Sequence, residues 1–186
     1  MNLPNIITVA RIFFVPAFVI IYLLGYEWSY LTAATLFALA AATDWLDGYL
    51  ARKLEQITPF GAFLDPVADK LIVVSAIVVL LASHSTIWLT LPALVIIGRE
   101  IVISALREWM ASMNASVATK VSSLGKIKTT IQMIGITLLL SLPPQADHPL
   151  LYAAYVVMYL AAVMTLWSMS VYLRAAWPTL KLGLRA

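Results

Sequence analysis

The sequence contains no cysteine and only two histidines in 186 residues. Without cysteine, disulfides, zinc thiolate sites and cysteine nucleophiles are excluded. Charge is also scarce. The 12 basic and 9 acidic side chains make up 11% of the chain, whereas a soluble domain carries about 25%. Hydrophobic residues reach 62%, and the mean hydropathy is +0.93. A small soluble core cannot hide that much apolar surface. A soluble domain, a disordered chain and a nucleic-acid-binding module are therefore excluded. What remains is an all-α integral membrane protein. At about 20 residues per span, the chain has room for at most about eight spans. It has none for a separate soluble catalytic domain, so residues 1–186 read as a single membrane domain. Any chemistry belongs to the membrane helices and their short loops. The N-terminus lacks a basic stretch before its apolar run and a clear small-residue cleavage site. It reads as a retained first helix.

The apolar runs and their polar breaks predict six helices, at about Asn5–Leu24, Tyr30–Arg52, Phe60–Ser83, Ile87–Met110, Leu124–Leu142 and Leu151–Arg174. All six are expected to span the membrane. The loops after helices 1, 3 and 5 hold Glu27, His84, Asp147 and His148 but no Lys or Arg. All 12 basic residues lie toward the opposite side. By the positive-inside rule that side is cytoplasmic, with both termini on it. In a bacterial cell the membrane is the inner one.

Four carboxylates interrupt this apolar pattern. Asp44 and Asp47 close the second helix, three residues apart. Asp65 and Asp69 open the third, four apart. Each spacing puts its pair on one helix face. The short connection makes the two helices antiparallel neighbours whose acidic ends meet. A bare carboxylate in a membrane helix costs a few kcal/mol, and four converging ones repel each other. Arg52, Lys53 and Lys70 supply part of the compensating charge. Divalent metal supplies more. Oxygen-only donors point to a hard ion, Mg²⁺ or Mn²⁺, and two such ions suit in-line displacement at phosphorus. A structural salt-bridge cluster and a cation or proton path are the competing readings. Gly48 and Gly61 weigh against both, since a missing side chain beside the carboxylates lets a ligand approach the backbone. Each is equally explained by helix packing.

The segment from Asp44 to Asp69 reads D-x2-D-G-x2-A-R-x8-G-x3-D-x3-D. It resembles the signature of the CDP-alcohol phosphatidyltransferase family, at all eight fixed positions. The stretches Pro4–Arg11, Gly98–Trp109 and Ser122–Thr129 resemble the branch whose acceptor is sn-glycerol 3-phosphate. The resemblance implies six membrane helices, a homodimer and two divalent cations near the cytoplasmic face. It implies that Asp44, Asp47, Asp65 and Asp69 are metal ligands and that Asp69 is also the catalytic base. Gly48, Arg52 and Gly61 are then expected to bind CDP-diacylglycerol, with Thr58 and Asn5 as weaker members of that pocket. For these last two, a loop hydroxyl and a helix cap are the plainer readings. The implied reaction moves a phosphatidyl group from CDP-diacylglycerol to glycerol 3-phosphate and releases CMP. The shared motif alone does not choose among glycerol 3-phosphate, inositol phosphate, serine and phosphatidylglycerol as acceptor.

A soluble phosphate dianion needs positive charge. Arg99 interrupts helix 4 at membrane depth, where an ionisable residue is a functional candidate by default. Arg107 follows two turns later on nearly the same face. Lys126 and Lys128 open helix 5, where backbone amides also suit phosphate. These four are the expected acceptor contacts. The plainer readings are that Arg99 pairs with Glu100 and that the others are membrane-surface anchors.

Overall fold

The computed structural model describes the backbone of residues 3–53, 58–112 and 123–183. Within these, the side chains of residues 44–52, 62, 123–126 and a few near the termini fall outside the described set. The described chain is entirely helical, with helices α1 (Leu3–Leu23), α2 (Glu27–Lys53), α3 (Pro59–His84), α4 (Ile87–Ser112), α5 (Ser123–Leu140) and α6 (Pro149–Gly183).

Local chemistry accounts for several helix ends. Gly25 ends the first hairpin at φ 72°, a conformation glycine adopts without strain. Glu27 opens α2, where its charge suits the positive helix N-terminus. Thr58 caps α3 by accepting from the Gly61 N–H at 3.0 Å, and Pro59 follows at the first helical position. Ser85 closes α3 in the left-handed region, its N–H returning to the Leu81 carbonyl.

Two helices extend beyond expectation. α2 starts at Glu27, three residues before the predicted Tyr30. α6 runs to Gly183, nine residues past the predicted Arg174. At 35 residues it is about 52 Å long, against a bilayer core of about 30 Å. Its last turns therefore continue past what a span requires. Among the described residues, four helical stretches are long and apolar enough to cross a membrane: Asn5–Leu23, Pro59–His84, Ile87–Ser112 and Pro149–Trp177. Ile127–Leu140 in α5 is apolar but shorter. α2 is not among the four; it carries Glu27, Asp44, Asp47, Arg52 and Lys53 within its length.

The distribution of burial is the reverse of a soluble protein's. Phe13, Val156 and Trp167 are each about two-thirds exposed, whereas Arg11 and Lys128 are buried. An outer surface of large apolar side chains around buried cations fits a lipid environment. The core joins Phe18 of α1 edge-on to Phe37 of α2, with ring centroids 5.8 Å apart. Buried Ala33, Ala34 and Ala40 let α2 approach its neighbours closely.

α1 packs on α2 and α3, α5 on α2 and α6, and α4 on α6. α1 and α3 are joined at their N-terminal ends. Asn5 donates to the Thr58 hydroxyl at 2.9 Å, and that hydroxyl returns to Asn5 Oδ1 at 3.2 Å. Gly61 leaves room for this pair. A Cβ there would stand 2.7 Å from Asn5 Oδ1 and 3.2 Å from Thr58 Oγ1. Asn5 is buried and already bonded, so it cannot yield without breaking its pair. Gly61→Ala is expected to lower stability by about 1–2 kcal/mol, read as a lower melting temperature in detergent. An unchanged melting temperature would show that the junction tolerates the methyl.

Candidate active site

The junction of α1 and α3 continues inward as a ladder of polar contacts. Asn5, Thr8 and Arg11 recur every three residues along one face of α1, and all three are buried. Each meets a successive turn of α3. Thr8 donates to Asp65 Oδ1 at 2.9 Å. Arg11 donates to Asp69 Oδ1 at 2.6 Å. The side chain of Arg11 is 1% exposed and that of Asp69 is 46% exposed. The cation is thus sunk in the bundle while the carboxylate it holds still reaches the surface. A buried guanidinium without a counter-charge would cost several kcal/mol. The contact with Asp69 offsets that cost and fixes the carboxylate's direction.

Thr8 and Arg11 lie in the stretch Pro4–Arg11, but the sequence pattern assigned neither a site role; their contacts make them further candidate site residues. A signal was present, since an arginine within the apolar run Ile6–Phe18 is expensive unless it serves a function.

Asp65 and Asp69 lie on one face of α3, as their spacing predicted, and both are accessible. They offer only oxygen donors, which suits a hard divalent ion. Two carboxylates do not complete a metal centre, and among the described residues no group of three His, Cys, Asp or Glu side chains is placed to hold a metal. Asp44 and Asp47 occupy the last helical stretch of α2, which packs on α3. Their side chains lie outside the described residues, as do those of Arg52 and Lys126; so does the surrounding of Gly48. Of the expected CDP-diacylglycerol contacts, Asn5, Thr58 and Gly61 are described. They form the junction of α1 and α3 at the foot of the carboxylate ladder.

A second polar cluster joins α4, α5 and α6. Glu100 Oε1 accepts from Arg99 Nη1 at 2.6 Å and from Lys128 Nζ at 3.5 Å. Neighbouring residues on a helix point away from each other, so Arg99 must curl sideways to reach Glu100. Its Nη2 lies 3.5 Å from the Ser168 hydroxyl on α6. Lys128 is 4% exposed at its side chain. Two cations thus share one carboxylate and keep a net positive charge. Arg107 is exposed and stacks over the Tyr172 ring of α6, 5.6 Å from its centroid. Among the described residues, the charged groups of Arg99, Arg107 and Glu100 stand near the Lys128 ammonium. Three of the four expected acceptor contacts, Arg99, Arg107 and Lys128, therefore sit within one electrostatic neighbourhood.

This cluster involves the C-terminal halves of α4 and α6 and the start of α5. The carboxylate ladder lies at the starts of α1 and α3. In an up-and-down bundle these are the same end, so the cationic cluster and the carboxylates share it.

Comparison with known proteins shows the family. The family model described as CDP-alcohol phosphatidyltransferase matches residues 1–167. A Pseudomonas fluorescens protein named CDP-diacylglycerol–glycerol-3-phosphate 3-phosphatidyltransferase is 55% identical over 182 residues, covering 97% of this chain and 93% of its own. A Yersinia enterocolitica protein of the same name is 47% identical over 180 residues, covering 97% of both chains. A third of that name, from Salmonella paratyphi A, is 46% identical over 175 residues, covering 94% of both. A carboxylate-bearing helix pair in an apolar bundle, matched over nine-tenths of its length, places the chain in the CDP-alcohol phosphatidyltransferase family.

Proposed function

We propose that the chain transfers the phosphatidyl group of CDP-diacylglycerol to sn-glycerol 3-phosphate, giving phosphatidylglycerophosphate and CMP. The observation that carries this reading is the pairing of accessible Asp65 and Asp69 with a net-cationic cluster at the same end of the bundle. The first suits divalent metal, which would hold a lipid diphosphate, and the second suits a soluble phosphate ester. The relatives' printed names supply the two substrates.

In this reading Asp44, Asp47, Asp65 and Asp69 hold divalent metal, two ions of Mg²⁺ or Mn²⁺. Family members generally depend on such metal. Bound metal would neutralise the diphosphate and stabilise the departing phosphate. Asp69 accepts the proton of the acceptor's 1-hydroxyl. That oxygen forms a bond to the phosphorus bearing diacylglycerol, and the bond from that phosphorus to CMP breaks. Arg11 keeps the Asp69 carboxylate aimed while leaving it accessible. A carboxylate is a weak base toward an alcohol, so position within about 3 Å matters more than basicity. Gly48, Arg52, Gly61, Thr58 and Asn5 line the CDP side. Arg99, Arg107, Lys126 and Lys128 hold the acceptor phosphate, the arginines in the planar geometry that suits it.

The positive-inside pattern puts this end, and both termini, at the cytoplasmic face of a bacterial inner membrane, with all six helices crossing it. Residues 1–186 act as one domain, and a homodimer is the expected assembly. The cytoplasmic face is where a lipid anhydride can meet a water-soluble phosphate.

The purified protein is expected to release CMP only with both glycerol 3-phosphate and Mg²⁺ or Mn²⁺ present. CMP release without the acceptor would overturn the reading. Asp69→Asn is expected to fold and to lose turnover by about 10²–10⁴-fold; a near-normal rate would remove Asp69 as the base. Arg11→Met is expected to lower stability by about 1–3 kcal/mol, and Arg11→Lys to recover part of it, both read by detergent melting curves. Lys128→Met is expected to raise KM for glycerol 3-phosphate about tenfold or more, with KM for CDP-diacylglycerol changed less than about twofold. Equal changes in both would move Lys128 out of the acceptor site.

A further inference from the structure

Beside the Arg99–Glu100–Lys128 cluster, three buried polar atoms have no hydrogen-bond partner among the described residues: Arg99 Nε, Gln132 Oε1 and Thr165 Oγ1. An unmade hydrogen bond in a buried site costs about 1–3 kcal/mol per group. Three of them next to one ion cluster need an occupant to complete them.

Thr165 stands out among its own kind. Thr32, Thr35, Thr90 and Thr137 each donate to a backbone carbonyl one turn back, at 2.8–2.9 Å. This is the usual way for a helical threonine to satisfy its hydroxyl in an apolar setting. Thr165, fully buried, does not do so.

The three atoms lie close in level along the bundle. α5 and α6 pack antiparallel, and their register is set where Gly135 faces Met158 and Val157. Counting from there, Lys128 of α5 is level with Thr165 of α6. Gln132 is one turn further from the ion cluster, on the same α5 face as Lys128. Helical side chains lean toward their own N-terminus. Gln132 therefore leans back toward Lys128, while Thr165 leans away from Ser168, toward Gln132. Ser168 in turn touches Arg99. The result is a donor, an acceptor and a hydroxyl bordering two cations.

We infer that Gln132 and Thr165 read the 2-hydroxyl of the acceptor, and so select a glycerol phosphate over a phosphate ester without that hydroxyl. This rests on the reading that Arg99 and Lys128 hold the acceptor phosphate. The 2-hydroxyl donates to Gln132 Oε1 and accepts from the Thr165 hydroxyl. Arg99 Nε donates to a phosphate oxygen. An acceptor lacking the 2-hydroxyl leaves both protein groups buried and unpaired, and such sites discriminate strongly.

The test compares glycerol 3-phosphate with 3-hydroxypropyl phosphate, which keeps the nucleophilic hydroxyl and the phosphate but lacks the 2-hydroxyl. CMP release gives kcat/KM for each, and detergent melting checks folding. The wild-type protein is expected to prefer glycerol 3-phosphate by about 10²-fold or more. Gln132→Leu is expected to shrink that preference at least about tenfold, by lowering kcat/KM for glycerol 3-phosphate and leaving the deoxy ester within about threefold. Thr165→Val keeps the side-chain shape and is expected to shrink the preference about threefold to tenfold. It serves also if Gln132→Leu does not fold. Both variants lowering the two esters alike, or leaving the preference intact, would overturn the inference. Lys128→Met, run in parallel, separates the underlying reading. It is expected to weaken both esters equally with the preference kept. No effect on either would overturn the phosphate site itself, whatever Gln132 and Thr165 do to the preference.

Discussion

The contact between Arg11 and Asp69 is the constraint on which the carboxylate end of the bundle depends. A guanidinium buried among membrane-length helices needs a negative partner. Asp69 supplies it from 58 positions further along the chain. Because the cation is buried and the carboxylate is not, the pair ties α1 to α3 and points the acidic side chain outward. Thr8 does the same for Asp65 one turn earlier. The Asn5–Thr58 pair closes the ladder at its foot, and Gly61 leaves it room. A site that takes up highly charged phosphates must hold its own charges rigidly in an apolar bundle, and here one helix face does so by repeated short contacts.

The cationic cluster follows the same economy with the signs reversed. Glu100 serves two cations from one oxygen and leaves net positive charge, which the proposed reading assigns to a phosphate. α6 contributes Ser168 and Tyr172 to steady Arg99 and Arg107. The two clusters therefore come from different helix sets: α1 and α3 on one side, α4, α5 and α6 on the other. This division matches a reaction whose two substrates differ in kind, one anchored in the bilayer and one dissolved in water.

Much of this was legible along the chain. Apart from the C-terminal end of α6, the six helices fell within a few residues of their predicted limits, because apolar runs punctuated by Gly, Pro and charged residues are local signals. The α6 boundary was the largest departure. The predicted end at Arg174 is where a membrane span is complete, but helical propensity does not stop at the edge of a bilayer. Asp65 and Asp69 share a face because a spacing of four is itself a statement about helix geometry. Asp44 and Asp47 carry the same local signal, and their side chains lie outside the described residues.

Composition and patterning by themselves determined an all-helical, apolar chain with its basic residues gathered toward one side, and motif spacing pointed to carboxylate-based phosphoryl chemistry. These properties depend on neighbours within a few residues of each other. Only the tertiary structure decided that Arg11 belongs to Asp69, that Thr8 belongs to Asp65 and that Glu100 bridges Arg99 to Lys128. It alone left Gln132 Oε1 and Thr165 Oγ1 buried with no hydrogen-bond partner among the described residues. The reason is that burial and pairing arise where helices 28 to 69 positions apart come together, and no local pattern records which faces meet.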